Sequence, residues 1–233
     1  MRYPAEETAA RHERILQEAS RLFRERGING VSLPEIMKAA QLTHGPFYNH
    51  FASKEALIAE SLQGAMDAKL QRLLSGKSSK AALREYLDEY LSSHHRDNPG
   101  NGCVAPALAG EIARNSGSRL PFTQYIKDML SAMSEKLAPE GDQKAEARAE
   151  ALRILVGMVG AIALARAVED KVLSDEILAR THADLLRGID RGVRSSSLTA
   201  RATRRSSGAV AQPGDSVSNG NTDHALDANV SKI

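Results

Sequence analysis

Apolar positions recur at helical spacing along most of this chain, and the segments between them carry the residues that start and stop helices. Ala9 to Arg26 places Ile15, Ala19, Leu22 and Phe23 on one face and fills the other with Arg and Glu. Gly27 is a C-terminal stop, and Asn29-Gly30 is a turn. Ser32 then opens an S-x-x-E capping box with Glu35, with Val31 and Ile36 in the staple positions. Leu33, Ile36, Met37 and Ala40 form the apolar face of a short second helix, with Pro34 in its first turn, where a missing N–H costs nothing. Gln41-Leu42-Thr43 reads as a turn. Thr43 can cap a third helix from His44 to Phe51, in which Pro46 again falls in the first turn. Phe47 and Phe51, four residues apart, face the core, and Tyr48 and His50 point elsewhere. Ser53 caps a long fourth helix through Leu57, Ile58, Leu62, Met66, Leu70 and Leu73. Gly76 to Ser79 ends it.

Further helical patterns follow at Lys80–His95, Ala105–Arg114, Pro121–Leu137, Gly141–Val168 and Ser174–Val193. The segment from Gly141 starts charged and becomes apolar on nearly every side. No period-2 run is long enough to predict a strand, so the fold class is all-α. Beyond Arg194 Ser, Thr, Gly, Asn, Arg and Asp take over, and residues 195–233 read as a disordered tail. Its Arg201, Arg204 and Arg205 can add nonspecific attraction to nucleic acid.

Composition narrows the class without naming a chemistry. The chain has 233 residues, 42% of them hydrophobic, with no Trp and only 4% aromatics, which suits packed helices. Net charge is +2. Residues 1–60 hold eight Arg or Lys and eight acids, so any basic face there must come from local placement. The polar stretch Met1–Ala10 predicts no secretory signal, and Ile154–Ala165 is too short to span a bilayer, so a cytoplasmic protein is expected. A single cysteine, Cys103, excludes an intramolecular disulfide. His94 and His95 with Cys103 and Glu111 invite a metal reading. However, adjacent histidines lie on different helix faces and no usual ligand spacing occurs, so neither metal nor cofactor is predicted.

The run Val31–Leu57 fits a helix-turn-helix that reads DNA. With Phe23 and Gly27 closing the first helix, Ser32 opening the second, and Phe47-Tyr48-x-His50-Phe51-x-Ser53-Lys54-Glu55-x-Leu57, it resembles the DNA-binding region of the TetR family of bacterial transcriptional regulators. The resemblance implies an N-terminal three-helix DNA-binding domain at residues 1–52 and a C-terminal helical effector-binding and dimerisation domain at 53–194. A recognition helix enters the major groove by its N-terminal residues while neighbouring groups grip phosphates. The expected DNA-contacting set is therefore Ser32, Thr43, His44, Gly45, Tyr48, His50 and Lys54. Thr43 and His44 are assigned to base edges, Gly45 to close backbone approach, and Tyr48, Lys54 and Ser32 to phosphates. His50 matches a recurring family histidine that serves phosphate contact or packing. Gln41 stands where many relatives carry Gly, so a left-handed residue is expected in that turn.

The resemblance also implies a homodimer on a palindromic operator. Leu152, Leu155, Val156, Val159 and Ala163, with Gly157 and Gly160 nearby, and Leu178, Leu185, Leu186 and Ile189 of the last helix are the candidate interface. An internal core helix is the alternative. The segments from Lys80 to Leu137 are expected to wrap a small-molecule effector, with Tyr90, His94, Cys103, Leu108, Phe122, Tyr125, Met129, Met133 and Met158 as candidate lining; ordinary core is the alternative for each. Cys103 precedes a helix start, the kind of place where reactive thiols sit. Gly102-Cys103-Val104-Ala105 resembles the electrophile- and redox-responsive subset of the family, against the alternative of a small buried hydrophobe. The reading is a ligand-responsive regulator, a repressor released by its effector, with the long helix after Ser53 as lever. A constitutive DNA-binding protein is the alternative. An enzyme is a further one, disfavoured because no Ser-His-Asp set, phosphate-cradling loop or metal motif is present.

Overall fold

Serine and aspartate side chains set where most of the helices begin. In the computed structural model, which describes residues 5–43, 45–75, 79–114, 116–138 and 143–191, the elements are α1 (Ala5–Arg26), α2 (Leu33–Ala39), a 3₁₀ turn (Gly45–Asn49), α3 (Lys54–Leu74), α4 (Lys80–Tyr90), α5 (Ser93–Asp97), α6 (Val104–Ile112), α7 (Ser116–Leu137), α8 (Lys144–Ala167) and α9 (Lys171–Arg191). Among the described residues there is no strand, and no helix is long and apolar enough to cross a membrane. His44 and residues 195–233 lie outside the described residues.

The capping box at the start of α2 is complete: Ser32 N–H donates to Glu35 at 2.9 Å, and Glu35 N–H donates back to Ser32 Oγ. Such a cap is worth about 1 kcal/mol. At the other end Gln41 adopts φ 59°, as the turn demanded. Gln41 N–H donates to Lys38 O at 3.0 Å and Leu42 N–H to Met37 O at 2.8 Å, a Schellman closure with glutamine in the position glycine usually takes. Gly27, at φ 80°, ends α1 where a side chain would also run into Glu111.

Four of the boundaries that differ from expectation have a clear local cause. Residues 45–49 wind as a 3₁₀ turn instead of an α-helix, closed by Phe51 N–H donating to Phe47 O at 3.0 Å. The predicted helix from Lys80 to His95 breaks at Leu91 because Ser92, extended at ψ 155°, accepts from His95 N–H and caps a separate α5. Helix α7 begins at Ser116, so Pro121 lies inside it and forfeits one backbone bond. Helix α9 begins at Lys171 because Asp170 accepts from Val172 N–H at 2.8 Å; Ser174, expected as its start, instead ties the α8–α9 turn by donating to Ala165 O at 2.7 Å.

Hydrophobic contact runs unbroken from Ile15 to Ile189. Phe23 and Phe47 are fully buried and fix α1 and the 3₁₀ turn to the head, each burial worth about 2–3 kcal/mol. Helix α3 packs on α1 in the head and on α7 below, so it is shared by both parts. Helix α8 packs between α7 and α9.

Candidate functional site

The 3₁₀ turn splits its side chains cleanly. Phe47 and Phe51 are 0% and 3% exposed, whereas Tyr48 between them is 67% exposed and meets the edge of Phe47 at 5.1 Å. Thr43, Gly45 and Ser32 are exposed as well. A Cβ at Gly45 would meet nothing within 4 Å, so its backbone is open to approach. Ser32 Oγ also donates to Glu35 at 2.6 Å, which holds the Glu35 carboxyl below its ordinary pKa. His50 is half-buried, its ring 5.8 Å from His12 and 6.4 Å from Phe51; burial first, then His12, pushes its pKa down.

Lys54 occupies its place differently. Its ammonium reaches back to the α1–α2 turn, donating to Val31 O at 2.6 Å and Ile28 O at 3.3 Å. The same turn is gripped from below, where Glu111 of α6 accepts from Ile28 N–H at 2.9 Å and Asn29 N–H at 3.3 Å. The sequence reading missed this role of Glu111, because no local pattern signals a contact across 83 positions.

The candidate effector residues fall into two groups. Tyr90 and His94 line a cleft of about 110 Å³ together with Lys69, Tyr86, Glu89, His95, Asn98 and Asn101. Cys103 and Tyr125 belong to the same neighbourhood: Sγ of Cys103 lies 3.4 Å from Tyr125 Oη, and Cys103 N–H donates to His95 Nε2 at 3.0 Å. His95 Nδ1 must then carry the proton, because it donates to the carbonyl of Tyr90 at 2.7 Å. Burial lowers the His95 pKa to about 4, so the ring is a neutral bridge. Leu108, Met129, Met133 and Met158 are instead at most 1% exposed in the core, and Phe122 is half-buried, 6.2 Å from the Tyr125 ring. Tyr86, absent from the sequence reading, is a further candidate. Its hydroxyl and that of Tyr90 are buried and have no hydrogen-bond partner among the described residues. Burial, then the Cys103 thiol, drives the Tyr86, Tyr90 and Tyr125 phenols well above their ordinary pKa.

The candidate interface residues also divide. Leu152 and Val156 are 50% and 63% exposed on α8, and Val159, Ala163 and Leu186 are half-buried. Leu155, Leu178, Leu185 and Ile189 are already buried inside their own subunit, because α9 lies on α8. Gly157 permits that internal contact, since a Cβ there would sit 3.2 Å from Leu185. Gly160 has open space above it and continues the outward stripe.

Comparison with known proteins finds a family match in the head. The family model described as bacterial regulatory proteins, tetR family, matches residues 15–61, the head whose geometry is given above. The chain thus carries a tetR-family domain over residues 15–61. Among curated proteins it is 30% identical over 131 residues to the HTH-type transcriptional repressor DhaR of Mycobacterium sp. (strain GP1), covering 53% of this chain and 65% of that protein. It is 29% identical over 128 residues to the repressor NemR of Escherichia coli (strain K12), covering 53% of this chain and 59% of that one. The chain thus matches less than two thirds of the length of these relatives. Its fold is that of a TetR regulator from Chloroflexus aurantiacus J-10-FL, with a TM-score of 0.65 at 23% identity over 80% of this chain and 97% of the other. The reduced form of E. coli NemR gives a TM-score of 0.61 at 23% identity, over 76% and 95% of the two chains.

Proposed function

We propose that this TetR-family chain is a homodimeric transcriptional repressor that binds a palindromic operator and lets go when an effector binds below the head. The exposed face of Thr43, Gly45 and Tyr48, held rigid by the buried Phe47 and Phe51 behind it, carries this reading. In it residues 1–52 read DNA, with Thr43 and His44 at base edges and Ser32, Tyr48, His50 and Lys54 at phosphates or beside them. Lys54 serves first as a clamp on the α1–α2 turn through its bonds to the Val31 and Ile28 carbonyls. Residues 53–194 bind the effector and dimerise through the outward stripe of α8, Leu152, Val156 and Gly160. Two heads fit successive major grooves only about 34 Å apart, so a small tilt carried by α3 weakens binding. The named relatives DhaR and NemR are described as repressors, which supports repression as the sign of the effect.

The effector site in this reading is the cleft in front of Tyr86 and Tyr90, with the Cys103 thiol behind it. Two orphaned phenol hydroxyls are costly to bury and mark a place where a ligand atom can accept from them. An electrophile reaching Sγ would displace the Tyr125 contact at the very start of α6, and Glu111 in that helix holds the head turn. Operator release measured during electrophile titration of the wild type and Cys103→Ser tests the thiol; identical curves end that part of the reading. The close packing of Leu108, Met129, Met133 and Met158 favours a second reading, a constitutive DNA-binding protein. An effector screen by operator release separates the two.

A further inference from the structure

A second cleft, about 530 Å³ in volume and apart from the tyrosine site, lies between α1 and the C-terminal end of α8. Four cationic side chains line it: Arg24, Arg96, Arg166 and Lys171. Two of them are neutralised. Arg96 pairs with Asp97 at 2.6 Å and Asp175 at 2.5 Å, and Lys171 pairs with Asp175 at 2.7 Å.

Among the described residues, the hydrogen bonds of the other two run to neutral acceptors. Arg24 donates from Nε and Nη2 to Gly100 O, and from Nη1 to Ser20 Oγ at 2.5 Å. Arg166 donates from Nε to Arg96 O at 3.0 Å and from Nη2 to His95 O at 2.6 Å. Its Nη1 is buried and has no partner among the described residues. Burial is the first cause that lowers the pKa of both guanidinium groups. A guanidinium taken out of water is ordinarily matched by a carboxylate or phosphate that accepts from two of its N–H groups. The acids of the same cleft do not fill that need for Arg24 or Arg166: Glu25 is bound to Arg21 at 2.9 Å, Asp97 is bound to Arg96, and Glu169 is exposed.

We propose that this cleft binds a small oxyanion, the carboxylate or phosphate group of a metabolite, between the guanidinium groups of Arg24 and Arg166. The anion accepts from Arg166 Nη1 and from the remaining N–H groups of Arg24. Because Arg24 belongs to the head and Arg166 to the long helix α8, the anion braces one against the other. It does so at a place separate from the effector cleft.

Titration of the full-length protein with inorganic phosphate or with acetate, at an ionic strength held constant with chloride, tests this through the thermal midpoint. A saturable rise with one or both anions is expected, since a ligand of the folded state raises stability with its concentration. A response to phosphate alone assigns a phosphoryl group, and a response to acetate a carboxylate. Arg166→Gln should weaken the affinity at least about tenfold, the worth of one charge-assisted hydrogen bond. Should Arg166→Gln fail to fold, Glu169→Gln decides: it removes an exposed negative charge from the rim and should tighten binding about twofold to fivefold. No response beyond chloride overturns the proposal. So does the same affinity in wild type and folded Arg166→Gln, or an unchanged affinity in Glu169→Gln.

Discussion

Glu111→Ala is expected to loosen the joint between the head and the lower helices. The carboxylate accepts from Ile28 N–H at 2.9 Å and from Asn29 N–H at 3.3 Å, in a turn that is buried at Ile28 and exposed at Asn29. Hydrogen bonds to a charged acceptor contribute about 1.5–3 kcal/mol each. Water replaces the bond to the exposed Asn29, so the loss is dominated by the Ile28 amide, about 2 kcal/mol in all. For a chain of this size 1 kcal/mol moves the thermal midpoint by about 2–4 °C, so the expected drop is about 4–8 °C in scanning calorimetry. Glu111→Gln keeps an acceptor and loses only the charge; about half that drop should follow. The alanine variant also removes one of the charged side chains that grip the α1–α2 turn, so operator affinity should fall further than stability at a temperature where both proteins are folded. A midpoint within 1 °C of wild type for Glu111→Ala would refute the idea that this carboxylate braces the turn.

The remaining predictions concern the tyrosine site, the neutral histidine and the outer face of α8. Tyr90→Phe removes a buried hydroxyl that has no partner among the described residues, so urea unfolding should show stability unchanged or raised by up to about 1 kcal/mol, while effector response falls; a loss of more than 1 kcal/mol contradicts this. His95 takes a proton at about 4 when folded but near the ordinary 6.5 when unfolded, so the unfolded chain binds more protons between those values. Its contribution is therefore whole above pH 6.5 and lost as pH falls toward 4, about 2 kcal/mol by pH 5. Denaturation midpoints against pH should show this component in wild type and not in His95→Gln. Val156→Glu, at a position 63% exposed, should leave the helical circular dichroism intact and yield monomers in analytical ultracentrifugation, whereas Leu185→Glu should unfold the subunit.

Local signals carried the head far and the lower domain less far. Ser32 with Glu35, Ser53 and Gly27 act within a few residues of themselves, so their roles could be read from spacing. The left-handed Gln41 was expected only through the family resemblance, in which Gly often stands at that place. Ser92 sat inside an apparently continuous helical run, and nothing in the periodicity ranked its capping bond above helix continuation. Asp170 lies four residues before the expected start at Ser174, and its capping bond leaves no mark in the apolar spacing. For α8, periodicity revealed apolar residues all round but not which faces pack inside the subunit, so Leu155 and Leu152 looked alike. Arg24, Arg166, Glu111 and the clamp role of Lys54 join residues 23 to 83 positions apart, and such pairings exist only once the helices are folded together.

Selection of bound duplexes from a random DNA pool by the purified full-length protein tests the central claim most directly. An inverted repeat should emerge, its half-site centres one helical turn or a multiple of it apart, with affinity for that site falling steeply as salt rises. Recovery of no common sequence, with equal affinity for every duplex in the pool, would contradict the account.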